Sequence, residues 1–225
     1  MCGRYVLGKT MAEVAARFGV VQPTLAFAPS YNMAPGQTLP VLIEEQGERH
    51  IVPMQWGLVP PWAANVTAHP SKPLINARAE GIATKPSFRR AVRSQRLLVP
   101  SSGYFEWQAT ASGKQPYFLH RADDALMGYA GLYEVGRDAA GEIWRTFTII
   151  TCAANERAAP IHQRMPVILQ GLDEEALWLD AAITDVNAVT SLLRPAPSAT
   201  LEVYPVSKRV NRVTNTGPEL IQPVA

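Results

Sequence analysis

Leu39-Pro40-Val41-Leu42-Ile43 and His50-Ile51-Val52-Pro53-Met54-Gln55-Trp56 are two apolar, β-prone runs separated by the turn-like Glu45-Gln46-Gly47-Glu48. A short polar connection carrying glycine between two such runs predicts an antiparallel hairpin. Outward from this hairpin the pattern repeats. Pro116 to His120, Leu126 to Tyr133 and Arg145 to Cys152 read as further strands, with Gly136-Arg137-Asp138-Ala139-Ala140-Gly141 as a hairpin connection and Leu201 to Tyr204 as a returning strand. Helices are fewer. Thr10-Met11-Ala12-Glu13 is a capping box opening a helix that Gly19 closes, with Met11, Val14, Ala15 and Phe18 as its apolar stripe. Asp173 to Leu179 and Asp185 to Leu193 are also helical in pattern. Strands outnumbering helices and joined mostly by hairpins predict an α+β fold: a curved, mixed or mainly antiparallel β-sheet with peripheral helices.

With 225 residues, 47% of them hydrophobic, the chain is expected to form a single domain over residues 1–225 around one core. No apolar run approaches the ~20 residues that span a bilayer, and the start lacks a secretory stretch, so the expected location is cytoplasmic, with no membrane partner. Cys2 and Cys152, nearly a chain length apart, make neither a disulfide framework nor a metal cluster. Cys152, in Thr148-Ile149-Ile150-Thr151-Cys152, reads as core packing. A net charge of +2 is too small to argue for nucleic acid. Arginine makes up 16 of the 21 basic residues, which suits phosphate oxygens, though codon bias accounts for the ratio equally well. In Phe88 to Arg96, a helix opened by Pro86 puts Arg89, Arg93 and Arg96 on one face, either solvated or phosphate-binding.

The reactive candidates are scattered. Removal of Met1 before a small residue leaves Cys2 with a thiol and a free α-amine, whose unperturbed pKa values lie near ~8.5 and ~7.7–8.0. An aldehyde is the natural target: the amine condenses to an imine and the thiolate closes a five-membered thiazolidine. Otherwise Cys2 is a small residue at a frayed end. His162, between Pro160 and Pro166, can be presented toward a cleft or be incidental, whereas His50, His69 and His120 read as structural or solvent-facing. Glu106, in Gly103-Tyr104-Phe105-Glu106-Trp107, is either a desolvated proton carrier or a strand-edge carboxylate paired with an Arg. Pro60-Pro61-Trp62 reads as a surface loop holding an aromatic in place. Cys2 and Arg4, Asn76 and Arg78, and His162 and Arg164 are each spaced i, i+2, which in an extended segment places a guanidinium beside each polar group. That suits an aldehyde embedded in a phosphodiester chain, as in nucleic acid lacking a base.

Together, Cys2-Gly3-Arg4-Tyr5, Tyr31-Asn32-Met33-Ala34-Pro35-Gly36, Trp56-Gly57-Leu58-Val59-Pro60, Asn76-Ala77-Arg78-Ala79-Glu80, Gly103-Tyr104-Phe105-Glu106-Trp107 and Ile161-His162-Gln163-Arg164-Met165-Pro166 resemble the SOS-response-associated peptidase (SRAP) family of abasic-site processing proteins, in order and spacing through the Val210-Asn211 tail. The resemblance implies the SRAP fold and capture of abasic sites in single-stranded DNA as a thiazolidine crosslink through Cys2. It implies catalytic roles for Cys2, Asn76, Glu106 and His162, and DNA contacts from Arg4, Asn32, Pro35, Trp62, Arg78, Trp107, Thr151 and Arg164. It implies no metal or organic cofactor, a monomer, a role near the replication machinery, and self-cleavage before Cys2, although an aminopeptidase would expose the amine equally well. Arg96-Leu97-Leu98-Val99-Pro100 departs from the family's usual Arg-Cys-Leu-Val-Pro without touching a catalytic position. The rival classes are an N-terminal-nucleophile amidohydrolase, which this chain's lack of an Asn-Gly dipeptide disfavours, and a non-covalent reader of single-stranded DNA with Cys2 incidental.

Overall fold

The computed structural model describes residues 2–21, 25–63, 73–137 and 141–224; Met1, His69 and Asp138 to Ala140 of the expected hairpin connection lie outside them. The hairpin expected at the outset is present as β3 (Thr38–Glu45) and β4 (Glu48–Trp56), with Leu42 opposite Ile51. Gln46 and Gly47 turn the chain with φ of 55° and 80°, the pair of positive values that matches the twist of a tight hairpin. β6 (Arg96–Ser101) follows β3, β9 (Met127–Arg137) follows β6, and β10 (Ile143–Ala153) pairs with both β9 and β4. Five strands therefore close into a barrel, antiparallel except where β10 runs parallel to β4.

β10 parts from both barrel neighbours before its end. One edge pairs with β4 at Thr146 and Phe147 and then with the parallel β5 (Asn76–Arg78) at Ile149 to Thr151. The other edge pairs with β9 as far as Ile149 and then with the antiparallel β11 (Arg164–Pro166) at Thr151 to Ala153. A second sheet holds β12 (Leu201–Pro205), β8 (Gly113–Arg121), β7 (Gly103–Thr110), β1 (Tyr5–Leu7) and β2 (Ser30–Met33), in that order and antiparallel. Gly103 opens β7 because a Cβ there would lie 2.3 Å from the Phe118 ring and 2.8 Å from the Leu119 carbonyl oxygen.

Alternation along β1 and β7 divides the apolar side chains between two clusters. Tyr5, Leu7 and Tyr104 join the main core with Trp56, Tyr129 and Phe147, whereas Val6 and Phe105 pack with Phe118, Val206, Val210 and Leu220 beneath the C-terminal tail. The helices are peripheral. α1 (Met11–Phe18) carries the full capping box at Thr10 and Glu13, ends at Gly19 with φ of 71°, and buries Met11, Val14, Ala15 and Phe18. α3 (Leu172–Leu179) starts one residue before its expected position, and α4 is confined to Val186–Thr190, its last turn tightened by Leu192 N–H donating to the Val189 carbonyl. No helix among the described residues is long and apolar enough to cross a membrane.

The basic run departs from expectation. α2 covers only Ala91–Ser94, and Arg96 enters β6, where its guanidinium is buried against the backbone carbonyls of Val92, Arg93, Trp178 and Asp180. Four carbonyls satisfy the charged fork better inside than a shared surface face would. Glu175 of α3 is also fully buried, gripped by Arg17 of α1 through bonds of 2.8 and 3.1 Å. Arg17→Met strands that carboxylate and is expected to cost about 3 kcal/mol or more in urea unfolding, against about 1 kcal/mol for Thr10→Ala. Equal costs would show that Glu175 reaches another partner or water.

Candidate active site

The residues leading into β1 carry Cys2 into the main core, fully buried. Across from it, β5 alternates so that Ala77 points into the core while Asn76 and the exposed Arg78 share the opposite face. Asn76 Nδ2 donates to the Cys2 carbonyl at 3.1 Å and to the Ile75 carbonyl at 2.9 Å. Its Oδ1 is buried and has no hydrogen-bond partner among the described residues. An acceptor left in that state is costly unless a ligand group completes it.

Glu106 sits on β7 between β1 and β8, opposite Tyr117 and 5% exposed. This interior position removes the strand-edge reading. Burial raises the Cys2 thiol pKa far above its ordinary value, and the Glu106 charge adds to that effect. The environment is thus not neutral toward the thiol, as an unperturbed titration near ~8.5 would require. Cys2 is held as a neutral thiol until something nearby accepts its proton. Behind it stand Tyr5, Tyr104 and Tyr129, all fully buried, with their phenols raised by burial and further by the proximity of Cys2. Ser101 Oγ donates to the Tyr129 hydroxyl at 2.9 Å, but the Tyr5 and Tyr104 hydroxyls have no partner among the described residues. Cys152, in the core as expected, is pushed up to about 11 by burial.

His162 ends an irregular turn tied by Asn155, whose Oδ1 accepts from Ala158 N–H and whose Nδ2 donates to the Ala196 carbonyl. Arg164 N–H donates to His162 Nδ1 at 3.0 Å, and the Arg164 carbonyl oxygen lies 3.3 Å from the same atom. Gln108 of β7 donates to the Pro160 carbonyl at 3.0 Å, joining this turn to the strand that carries Glu106. Arg164 Nη2 meets Glu80 at 2.9 Å and the Thr151 carbonyl at 2.5 Å. Arg164 and, to a lesser extent, Arg78 hold the Glu80 carboxyl below its ordinary range. β5, β10 and β11 thereby bring Asn76, Arg78, Thr151 and Arg164 to one rim.

Arg4 lies elsewhere than its i, i+2 spacing from Cys2 predicts, because residues 2–4 precede the regular alternation of β1. Its guanidinium donates to Asn32 Oδ1 at 2.9 Å and the Val210 carbonyl at 2.8 Å, and lies 5.9 Å from the Trp107 ring centroid. Trp107 Nε1 donates to Asn211 Oδ1 at 2.8 Å. Asn32 is fully buried, with its amide nitrogen against the carbonyls of Val210, Arg212 and Asn215. Pro35 is half-buried in the turn after β2, and Trp62 is 58% exposed. Sequence reading missed the tyrosine hydroxyls behind Cys2, the Asn155 clasp and the Glu80 partner of Arg164. Tyr5, Tyr104 and Glu80 had a signal, since each stands in a quoted motif, whereas Tyr129 and Asn155 had none. Among the described residues no group of three or more His, Cys, Asp and Glu is placed to hold a metal ion.

The model of the SOS response associated peptidase (SRAP) family matches residues 1–213. The chain belongs to the SRAP family. It is 37% identical to the abasic site processing protein YoqW of Bacillus subtilis, covering 99% of each chain, and 32% identical to the abasic site processing protein YedK of Escherichia coli, covering 100% of each. Chicken HMCES, also named an abasic site processing protein, is 33% identical over 88% of this chain and 67% of its own length. A crystal structure of a protein from Bacteroides thetaiotaomicron superposes on this SRAP fold with a TM-score of 0.87 at 27% identity, covering 100% of both chains.

Both thiols titrate higher folded than unfolded, so above pH ~8.5 the unfolded chain releases protons that the folded chain retains, and stability falls as pH rises. Thermal melts are expected to drop between pH 8.5 and 10, by up to ~1.4 kcal/mol per pH unit for each thiol. Cys152→Val should make that decline shallower. An unchanged slope would remove the buried Cys152 thiol from this account.

Proposed function

We propose that this SRAP protein senses abasic sites in single-stranded DNA and caps them as a thiazolidine crosslink through Cys2 once Met1 is removed, shielding the lesion during the DNA damage response. The observation that carries the reading is the buried Oδ1 of Asn76, without a hydrogen-bond partner among the described residues, on a side chain anchored to the Cys2 carbonyl beside a carboxylate that acts on the Cys2 thiol. The names of YoqW, YedK and HMCES support the substrate class.

Abasic deoxyribose is mostly a closed hemiacetal, so a proton must move before the aldehyde is exposed. Glu106 and the His162 ring are the proton carriers, and Asn76 Oδ1 orients the Cys2 α-amine. The amine adds to the aldehyde and water leaves, forming an imine. Sulfur then bonds to the imine carbon while the thiol proton passes to nitrogen, so one water is lost overall. A thiol this strongly desolvated ionises only beside the positive iminium, which ties ring closure to prior condensation. His162 serves the slow reversal by the same proton transfer.

Arg78 is exposed and grips phosphate directly. Arg164 and Arg4 share their guanidinium groups with Glu80 and Asn32, so they meet phosphate while keeping a protein partner. Trp107 and Trp62 stack on bases, and Asn32, Pro35 and Thr151 shape the same surface. The protein works as one domain and a monomer in the cytoplasm, near the replication machinery, without metal or organic cofactor. Self-cleavage before Cys2 is one route to the free amine.

A denaturing gel tests the reading with single-stranded DNA carrying one abasic site, using protein whose loss of Met1 has been verified by mass. A heat-stable shifted band is expected with abasic DNA, and none with intact DNA or with Cys2→Ala. No band from the processed protein would overturn covalent capture, and ammonia release from glutamine would favour the amidohydrolase class. Glu106→Gln is expected to slow crosslinking by roughly 10²-fold without abolishing it. A wild-type rate would take Glu106 out of the mechanism.

A further inference from the structure

Beyond the rim, residues 81–95 form a nearly continuous run of helical turns. Lys85 N–H donates to the Gly81 carbonyl at 3.0 Å, Arg89 N–H to Lys85 at 2.9 Å, Val92 N–H to Phe88 at 2.9 Å and Gln95 N–H to Ala91 at 2.7 Å. Ile82, Phe88, Ala91 and Val92 are buried and pin the run to the body, while Lys85, Arg89 and Arg93 are exposed. One turn links Lys85 to Arg89, and Arg89 and Arg93 line one open groove, so the three cations follow one another along the surface of the run.

Their charge is uncompensated. Arg90, which lines the same open groove of about 580 Å³ as Arg89, Arg93, Ala83 and Thr84, is paired with the buried Glu134. No salt bridge involves Lys85, Arg89 or Arg93 among the described residues. The stripe also continues from the site. The chain passes from Arg78 straight into the turn Ala79–Gly81, and Lys85 Cε lies 3.0 Å from where a Gly81 Cβ would stand.

We infer that Lys85, Arg89 and Arg93 form a non-covalent phosphodiester track that holds the DNA strand flanking the captured lesion. The inference rests on the proposed DNA substrate and extends its footprint past the residues that touch the reacting sugar. Three cations set along one run of turns meet successive phosphates without reading bases, so the track contributes affinity and salt dependence and no sequence preference.

The test compares wild type with the triple variant Lys85→Gln, Arg89→Gln, Arg93→Gln, whose folding is verified by thermal melt. Binding of intact single-stranded oligonucleotides of about six and about twenty nucleotides is followed by anisotropy across a salt series. The expected result is a log K against log[salt] slope reduced by ~2 for the longer strand, from three lost contacts at ~0.7 each, with the short strand unaffected. Crosslinking to a short abasic oligonucleotide should persist. Identical slopes for variant and wild type on the longer strand would overturn the track while wild-type crosslinking still upholds the proposed function. Equal losses on both lengths would overturn it as well, since a track beyond the site must discriminate by length. If wild type neither binds nor crosslinks, the proposed function fails and the track fails with it.

Discussion

The structure depends on where β10 parts from its neighbours. It leaves β4 after Phe147 and β9 after Ile149 and runs on to Ala153, so backbone donors and acceptors extend beyond the closed ring. Those groups must be satisfied, and β5 on one side and β11 on the other satisfy them. Two three-residue strands that would be unstable alone thus become rigid, and the pleat decides which of their side chains face the core. Asn76 and Arg78 stand on one flank of Thr151 and Arg164 on the other because β10 lies between them.

Against this rim the second sheet delivers Glu106 from β7 and Cys2 from the residues leading into the adjacent β1. The result is a reactive residue kept unreactive. Burial and a neighbouring carboxylate both oppose thiolate formation, which keeps the Cys2 thiol in its less reactive neutral form. The Tyr5 and Tyr104 hydroxyls and Asn76 Oδ1 are buried near the same residue with no hydrogen-bond partner among the described residues, a state that costs folding stability. The arginines follow a different logic. Arg4 and Arg164 are held by Asn32 and Glu80, which fixes their direction at the cost of some charge, whereas Arg78, Lys85, Arg89 and Arg93 remain open.

Much of this was legible in local sequence. The capping box at Thr10 and Glu13, the β3–β4 turn and the apolar stripe of α1 depend on neighbours within a few residues, and each appears where expected. Short strands were illegible for the opposite reason. Tyr5–Leu7, Asn76–Arg78 and Arg164–Pro166 hold too few residues to show a period, and their conformation is imposed by partners far along the chain. Arg96 shows how a charged residue misleads: its type argues for the surface, but four backbone carbonyls from residues up to 84 positions away make burial satisfactory.

The sequence by itself determined the residue types of the site, the hairpin-rich α+β character and the family, because motifs and turn chemistry are local. Only the tertiary structure decided that the sheet closes into a barrel, that Asn76 clasps Cys2, and that Arg4 turns to Trp107 and the C-terminal tail. It also decided that the Cys2 thiol is suppressed. Each of these follows from contacts between strands remote in sequence, and desolvation and hydrogen-bond satisfaction are properties of the enclosure they form, which no single stretch of residues carries.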